Sequence, residues 1–83
     1  MGFGAARKLD QVLTNTARVV AVELMCAAQG VEQRQLDPAP GTARVRDEVR
    51  SVCPPLVADR PPGPDIERIA RLIGSGAFSF NPV

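Results

Sequence analysis

The sequence predicts an all-α fold, and two observations carry that prediction. Apolar residues recur at three-and-four spacing through the first third of the chain, and prolines and glycines cut the remainder into two shorter helical stretches. The first stretch predicts one long helix over about residues 5–30, with Leu9, Leu13, Thr16, Val20, Leu24, Ala27 and Val31 forming its packed seam. At about 100° per residue, Val22 and Met25 point away from that seam. Arg7, Gln11 and Arg18 give the first half a polar face, whereas Ala17 to Ala28 is apolar nearly all round and needs neighbours on both sides. Thr14-Asn15-Thr16 are mediocre helix formers, but a break there would reset the phase of the seam, so the helix is expected to be continuous.

Past Gly30 the punctuation changes. Asp37-Pro-Ala-Pro-Gly41 predicts a loop, since each proline fixes its own φ and biases the preceding residue away from helix. Thr42 is then placed to cap a second helix over about residues 42–52, with Val45, Val49 and Val52 inward and Arg44, Asp47 and Glu48 toward water. Pro54 and Pro55 stop it, and Leu56 to Gly63 reads as a second loop whose charges are Asp59 and Arg60. Pro64 suits the first turn of a third helix over about residues 64–74, where Asp65 and Glu67 sit near the positive end of the dipole. Its buried face is Ile66, Ile69, Ala70 and Ile73. Gly74 and Gly76 end it, which leaves residues 1–76 as one helical segment and residues 77–83 as a tail.

The composition narrows the class. An 83-residue chain with 45% apolar residues and only three aromatics, Phe3, Phe78 and Phe80, is one domain at most. A chain of this size buries only about 60 to 65% of its unfolded surface. Leaving Val19, Val22, Leu24 and Met25 in water would forfeit roughly 1.5 to 3 kcal/mol each. Their sum rivals a typical domain stability of about 5 to 15 kcal/mol, so a partner or self-association through Val19 to Ala28 is expected.

Charge and chemistry exclude more than they indicate. Ten basic and nine acidic residues leave a net charge of +1, and the Arg44, Arg46 and Arg50 group is broken by Asp47 and Glu48, so a solvated helix face is expected and no nucleic-acid partner. The apolar run Val19 to Val22 is far short of the roughly 20 residues of a membrane span. Arg7 and Lys8 are not followed by a signal-peptide core, which points to the cytoplasm. With no histidine, and with Cys26 and Cys53 well separated, zinc and CxxC patterns are excluded and no metal is expected. Both thiols are expected to be buried and free, Cys26 in the apolar half of the helix. The lack of histidine and tyrosine removes the Ser-His-Asp and Cys-His arrangements, leaving carboxylates, Lys8 and the thiols as general acids. Gly2-Phe-Gly4 and Gly74-Ser-Gly76 complete no phosphate-loop motif and read as helix-end glycines. Glu23, on the flank of the seam, would need a partner from another segment if buried, and burial without one would raise its pKa. No catalytic, cofactor-binding or metal residue is therefore assigned.

The order of several short pieces nevertheless carries a resemblance. Met1-Gly2, Ala5-Ala-Arg-Lys8, Asn15, Val19-Val-Ala-Val-Glu-Leu24, Ala27-Ala-Gln-Gly30 and Arg34 come first. Val45-Arg46, Val49-Arg50, Asp59-Arg60, Pro64-Asp-Ile-Glu67 and Leu72-Ile73 follow. In this order the chain resembles the C-terminal end of the aromatic amino acid lyases, and Asp59-Arg60 with Pro64-Asp-Ile-Glu67 is more typical of the histidine branch than of the phenylalanine or tyrosine branches. The tail from Ala77 does not match.

The resemblance implies a piece of the family's central helical bundle, packed inside a homotetramer whose active sites draw on several subunits. It implies the histidine-degrading elimination of ammonia from L-histidine to give trans-urocanate, with this region supplying scaffold and subunit contacts. The family's methylidene-imidazolone forms from an internal Ala-Ser-Gly, which this sequence lacks, and its catalytic tyrosine and substrate-binding histidine have no counterpart here. Its active-site glutamate lies in an acidic stretch just before the methionine matching Met1. Glu23 matches a recurrent family position without a catalytic role assigned to it. The coincidence at Met1 suggests a truncated reading frame or a misassigned start codon, distinguishable by translating the upstream DNA. The competing expectation is a small helical protein that self-associates and catalyses nothing.

Overall fold

The computed structural model describes residues 2–35 and 37–79, and among them the only regular elements are three helices, α1 (Phe3–Gln33), α2 (Pro40–Arg50) and α3 (Gly63–Gly74). The all-α expectation holds. Both α2 and α3 pack against α1, and all three helices feed one small core of Ala21, Ala28, Val49, Cys53 and Ile69. The body is flat and long, 50 × 39 × 16 Å, with a radius of gyration of 14.9 Å. A compact globule of this length would have a radius of gyration of about 12 Å.

α1 is continuous through Thr14-Asn15-Thr16. The Thr14 and Thr16 hydroxyls donate back to the carbonyls of Asp10 (3.0 Å) and Val12 (2.8 Å), a local bond that lets threonine sit inside a helix. The helix also runs past Gly30 to Gln33, where the expectation had ended it. Val31 and Glu32 are half-buried and Glu32 is bonded to α2, so tertiary contact extends the helix through a glycine that nothing crowds. Gln35, at φ 54°, provides the left-handed turn that closes it, donating its N–H to Glu32 O at 3.1 Å.

The packed face of α1 keeps Leu24 and Val31 of the expected seam and elsewhere is displaced from it by one residue. Ala17, Ala21, Leu24 and Ala28 face the other helices, whereas Leu9, Leu13, Thr16, Val20 and Ala27 are exposed and Met25, expected to point away, is half-buried against the core. The reason is steric: alanines let two neighbouring helices approach one backbone closely, and the bulky residues beside them stay outside. Periodicity is the same for either face, so spacing alone does not choose between them.

α2 begins at Pro40 rather than after a Thr42 cap. Ala39 is the N-cap and Pro40 occupies the first position, where its fixed φ suits the helix and its missing N–H removes a donor that would have had no partner. α2 stops at Arg50, but Val52 and Cys53 N–H groups still bond to Val49 O, so the inward face Val45, Val49, Val52 forms as expected. α3 starts one residue before Pro64, and Ile66, Ile69, Ala70 and Ile73 all contact the core or line it. Its end uses Gly76, whose φ of 83° is a conformation L side chains rarely adopt, with its N–H donated to Ile73 O at 3.2 Å. Beyond it Ala77 and Phe78 are half-buried and Phe78 returns to the core, so the first part of the expected tail is packed. Residues 80–83 of that tail lie outside the described residues, as does Phe80.

Candidate functional site

The turn between α2 and α3 sets the local problem. Pro54 and Pro55 supply no N–H, so the chain around them cannot form a helical ladder, and its carbonyls must find donors elsewhere. Three arginines and a glutamine provide them. Arg68 Nε donates to Val52 O at 2.9 Å, Arg50 Nη1 to Cys53 O at 3.0 Å, and Arg60 to Pro54 O at 2.5 Å and Pro55 O at 3.2 Å. Gln29 Nε2 donates to Leu56 O at 3.3 Å, while its Oε1 accepts the Leu56 N–H at 3.2 Å. Five consecutive carbonyls, from residue 52 to residue 56, are thus held by side chains.

Carboxylates in turn fix the arginines. Asp65, whose side chain is only 4% exposed, accepts Arg60 Nε on Oδ2 at 2.8 Å and Arg68 Nη2 on Oδ1. Glu32 of α1 accepts Arg50 Nε at 2.6 Å, and the same guanidinium donates from Nη2 to Gln29 Oε1 at 3.2 Å. The hydrogen bond from Arg60 holds the Asp65 carboxyl below its ordinary value against the opposing effect of burial, with Arg68 adding to the lowering. The Asp65 carboxylate raises Arg60 in return. Beside this clasp an apolar cavity of about 270 Å³ opens between α1 and the proline turn, lined among others by Met25, Cys26, Cys53 and Leu56.

The clasp is internally satisfied: each of its carboxylates binds a guanidinium, and no buried side-chain nitrogen or oxygen among the described residues lacks a hydrogen-bond partner. Glu23 is exposed, so it does not need the partner from another segment that burial would have required. Cys26 is exposed as well, against the expectation of two buried thiols, because the displaced packing face turns Ala28 and Met25 inward and leaves residue 26 at the surface; Cys53 is buried as expected. The solvated face expected for Arg44, Arg46 and Arg50 is corrected at Arg50, whose side chain is only 15% exposed. Gly2 is the N-cap of α1 and Gly74 the last residue of α3, so both glycine pairs lie at helix ends.

A second feature lies at the other end of α1. Residues 2–16 are exposed throughout, and the large apolar side chains among them include Phe3 (80% exposed), Leu9, Val12 and Leu13 (60%). Val19, Val20 and Val22 continue the ridge. The Arg7 guanidinium lies over the Phe3 ring, 6.0 Å from its centre. No described helix is long and apolar enough to cross a membrane. Sequence reasoning found this surplus apolar surface but put it from Ala17 to Ala28, half of which is covered by α2 and α3. It missed the clasp, whose only sequence signals were a Pro-Pro pair and arginines placed where three elements converge.

Residues 1–51 match the family model described as aromatic amino acid lyase. A histidine ammonia-lyase of Sorangium cellulosum is 49% identical over 79 residues, 94% of this chain and 15% of that protein. The histidine ammonia-lyases of Symbiobacterium thermophilum and Gloeobacter violaceus are 44% and 42% identical, each over 92% of this chain and 15% of their own length. The chain therefore spans about 15% of the length of these relatives. No solved structure matches.

Proposed function

The chain belongs to the aromatic amino acid lyase family, and from that premise we propose that it serves as the C-terminal scaffold of a histidine ammonia-lyase. In such an enzyme it contributes subunit contacts through α1 and no group to the conversion of L-histidine into trans-urocanate and ammonia. The observation that supports this reading most directly is the pairing of similarity over 94% of this chain with an N-terminal half of α1 that no other described residue covers. The family's methylidene-imidazolone does not fit these residues, since the chain has neither the Ala-Ser-Gly precursor nor any tyrosine or histidine beside which it would act.

The setting proposed is a cytoplasmic homotetramer of histidine catabolism, with the ridge Leu9, Val12, Leu13, Val19 and Val20 covered by helices of the remaining lyase chain or of other subunits. The test is complementation. A Sorangium cellulosum histidine ammonia-lyase lacking the matching segment should recover assembly and urocanate formation, read by absorbance, when this chain is co-expressed. This chain alone should give none with L-histidine. Turnover by the isolated chain would overturn the scaffold reading. An exposed apolar ridge also suits a free-standing helical module that self-associates, and that second reading wins if the chain forms defined oligomers by sedimentation yet restores neither assembly nor activity.

A further inference from the structure

We propose that Cys26 and Cys53 are a redox pair, which a small-molecule disulfide joins into an intramolecular disulfide across the cavity between α1 and the proline turn. Both thiols are free and both line that one cavity of about 270 Å³. Their surroundings differ in a way that assigns each a role. Cys26 is exposed on α1 and open to an oxidant, whereas Cys53 is 1% exposed and faces the cavity from the core. The Cys53 sulfur lies 4.0 Å from Arg50 Nη1 and 3.9 Å from Arg60 Nη2 and donates its S–H toward Pro54 O at 3.8 Å. Two guanidiniums therefore stand beside the sulfur that must attack as a thiolate.

The chemistry is two thiol–disulfide exchanges. The Cys26 thiolate attacks one sulfur of oxidised glutathione, breaks its S–S bond and releases one glutathione thiolate. The Cys53 thiolate then attacks the Cys26 sulfur of the mixed disulfide and releases the second. The two cysteines are oxidised by two electrons, the oxidant is reduced by two, and the two cysteine protons end on the two glutathione thiols. A disulfide needs its Cα atoms about 5.5 to 6 Å apart. Both sulfurs line the same cavity, so joining them moves the turn at Cys53 toward α1 across that space and gives up the Cys53 N–H bond to Val49 O at 2.9 Å. Closure pins α1 to the turn that joins α2 and α3.

The purified chain is treated with oxidised glutathione, in native buffer and in urea, and followed by intact mass and by mapping of linked peptides. The expected end product has lost two hydrogens and links the peptides carrying Cys26 and Cys53. It forms roughly tenfold faster in native buffer than in urea, because the fold holds the thiols closer than a random loop does. Cys53→Ser should stop at the Cys26 glutathione adduct, and Cys26→Ser should take up almost no glutathione. A persistent adduct or a Cys26-to-Cys26 dimer as the wild-type end product overturns the proposal. So does a native rate no faster than the rate in urea, and circular dichroism of both variants shows that the helices persist.

Discussion

The C-terminal half of α1, Ala17 to Gln33, touches two other helices, and is bonded to the proline turn by Gln29 and to Arg50 of α2 by Glu32. The N-terminal half, Phe3 to Thr16, belongs to the same helix and carries residues just as apolar, yet all of it is exposed. Packing is therefore divided along one helix. The C-terminal half closes the fold through Ala17, Ala21, Leu24, Met25 and Ala28, while the large residues of the N-terminal half stay exposed among the described residues. A large side chain contributes most when a preformed surface receives it, whereas alanine contributes most where two backbones must come close.

Truncation to alanine at one site in the core that the C-terminal half packs against and at one site in the N-terminal half tests this division most severely. Ile69→Ala removes a fully buried side chain from the centre of the core, and should lower the unfolding free energy by about 3 kcal/mol. Leu13→Ala, at 60% exposure, should change it by less than about 0.5 kcal/mol at dilutions where the chain is monomeric. Urea denaturation followed by circular dichroism measures both. Equal losses would show that the N-terminal half is packed in the monomer and would remove the comparison.

The clasp gives the next effect. Asp65→Asn leaves Arg60 and Arg68 without their carboxylate, and since these guanidiniums are 33% and 42% exposed, water relieves part of the loss. A destabilisation of about 2 kcal/mol is expected, below that of a fully buried pair. Its pH dependence has a definite sign. The folded carboxyl titrates below its ordinary value of 3.8, so its contribution is complete above about pH 5 and is lost as the pH falls through 3.8 toward the folded value. The difference in melting temperature between wild type and Asp65→Asn should therefore shrink on acidification from about pH 5 to about pH 2. A difference that stays constant would mean that Asp65 acts through shape rather than charge.

These contrasts also mark what the sequence makes legible. The three helices, the continuity of α1 and the inward faces of α2 and α3 follow from spacing and from proline placement, because those are local properties. The face of α1 does not. Val20 and Ala21 obey the same period, and the choice between them is made by the closeness of α3, a tertiary fact. The ends of α1 and α2 slipped for related reasons: contact with α2 carries α1 through Gly30, and Pro40 starts a helix that Thr42 was expected to cap. The clasp was hidden more deeply, since Gln29, Glu32, Arg50, Arg60, Asp65 and Arg68 share no motif and meet only after folding. Asp59-Arg60 and Pro64-Asp-Ile-Glu67 were singled out by family resemblance, and the structure gives part of the physical content: Arg60 and Asp65 bind each other.

The smallest expected effect lies where the two halves of α1 meet. Arg18 Nε and Glu67 Oε1 are 2.8 Å apart, joining α1 to α3 one residue beyond Ala17, but both side chains are about half exposed, at 48% and 50%. Water screens such a pair, and ordering two long side chains opposes the attraction. A double-mutant cycle with Arg18→Ala and Glu67→Ala should therefore return a coupling of about 0.2 to 1 kcal/mol. In 1 M salt, where charges are screened within about 3 Å, it should fall toward zero. A coupling well above that range, or one indifferent to salt, would show that the pair is held out of water and that α1 is pinned to α3 through residue 18 more firmly than its exposure implies.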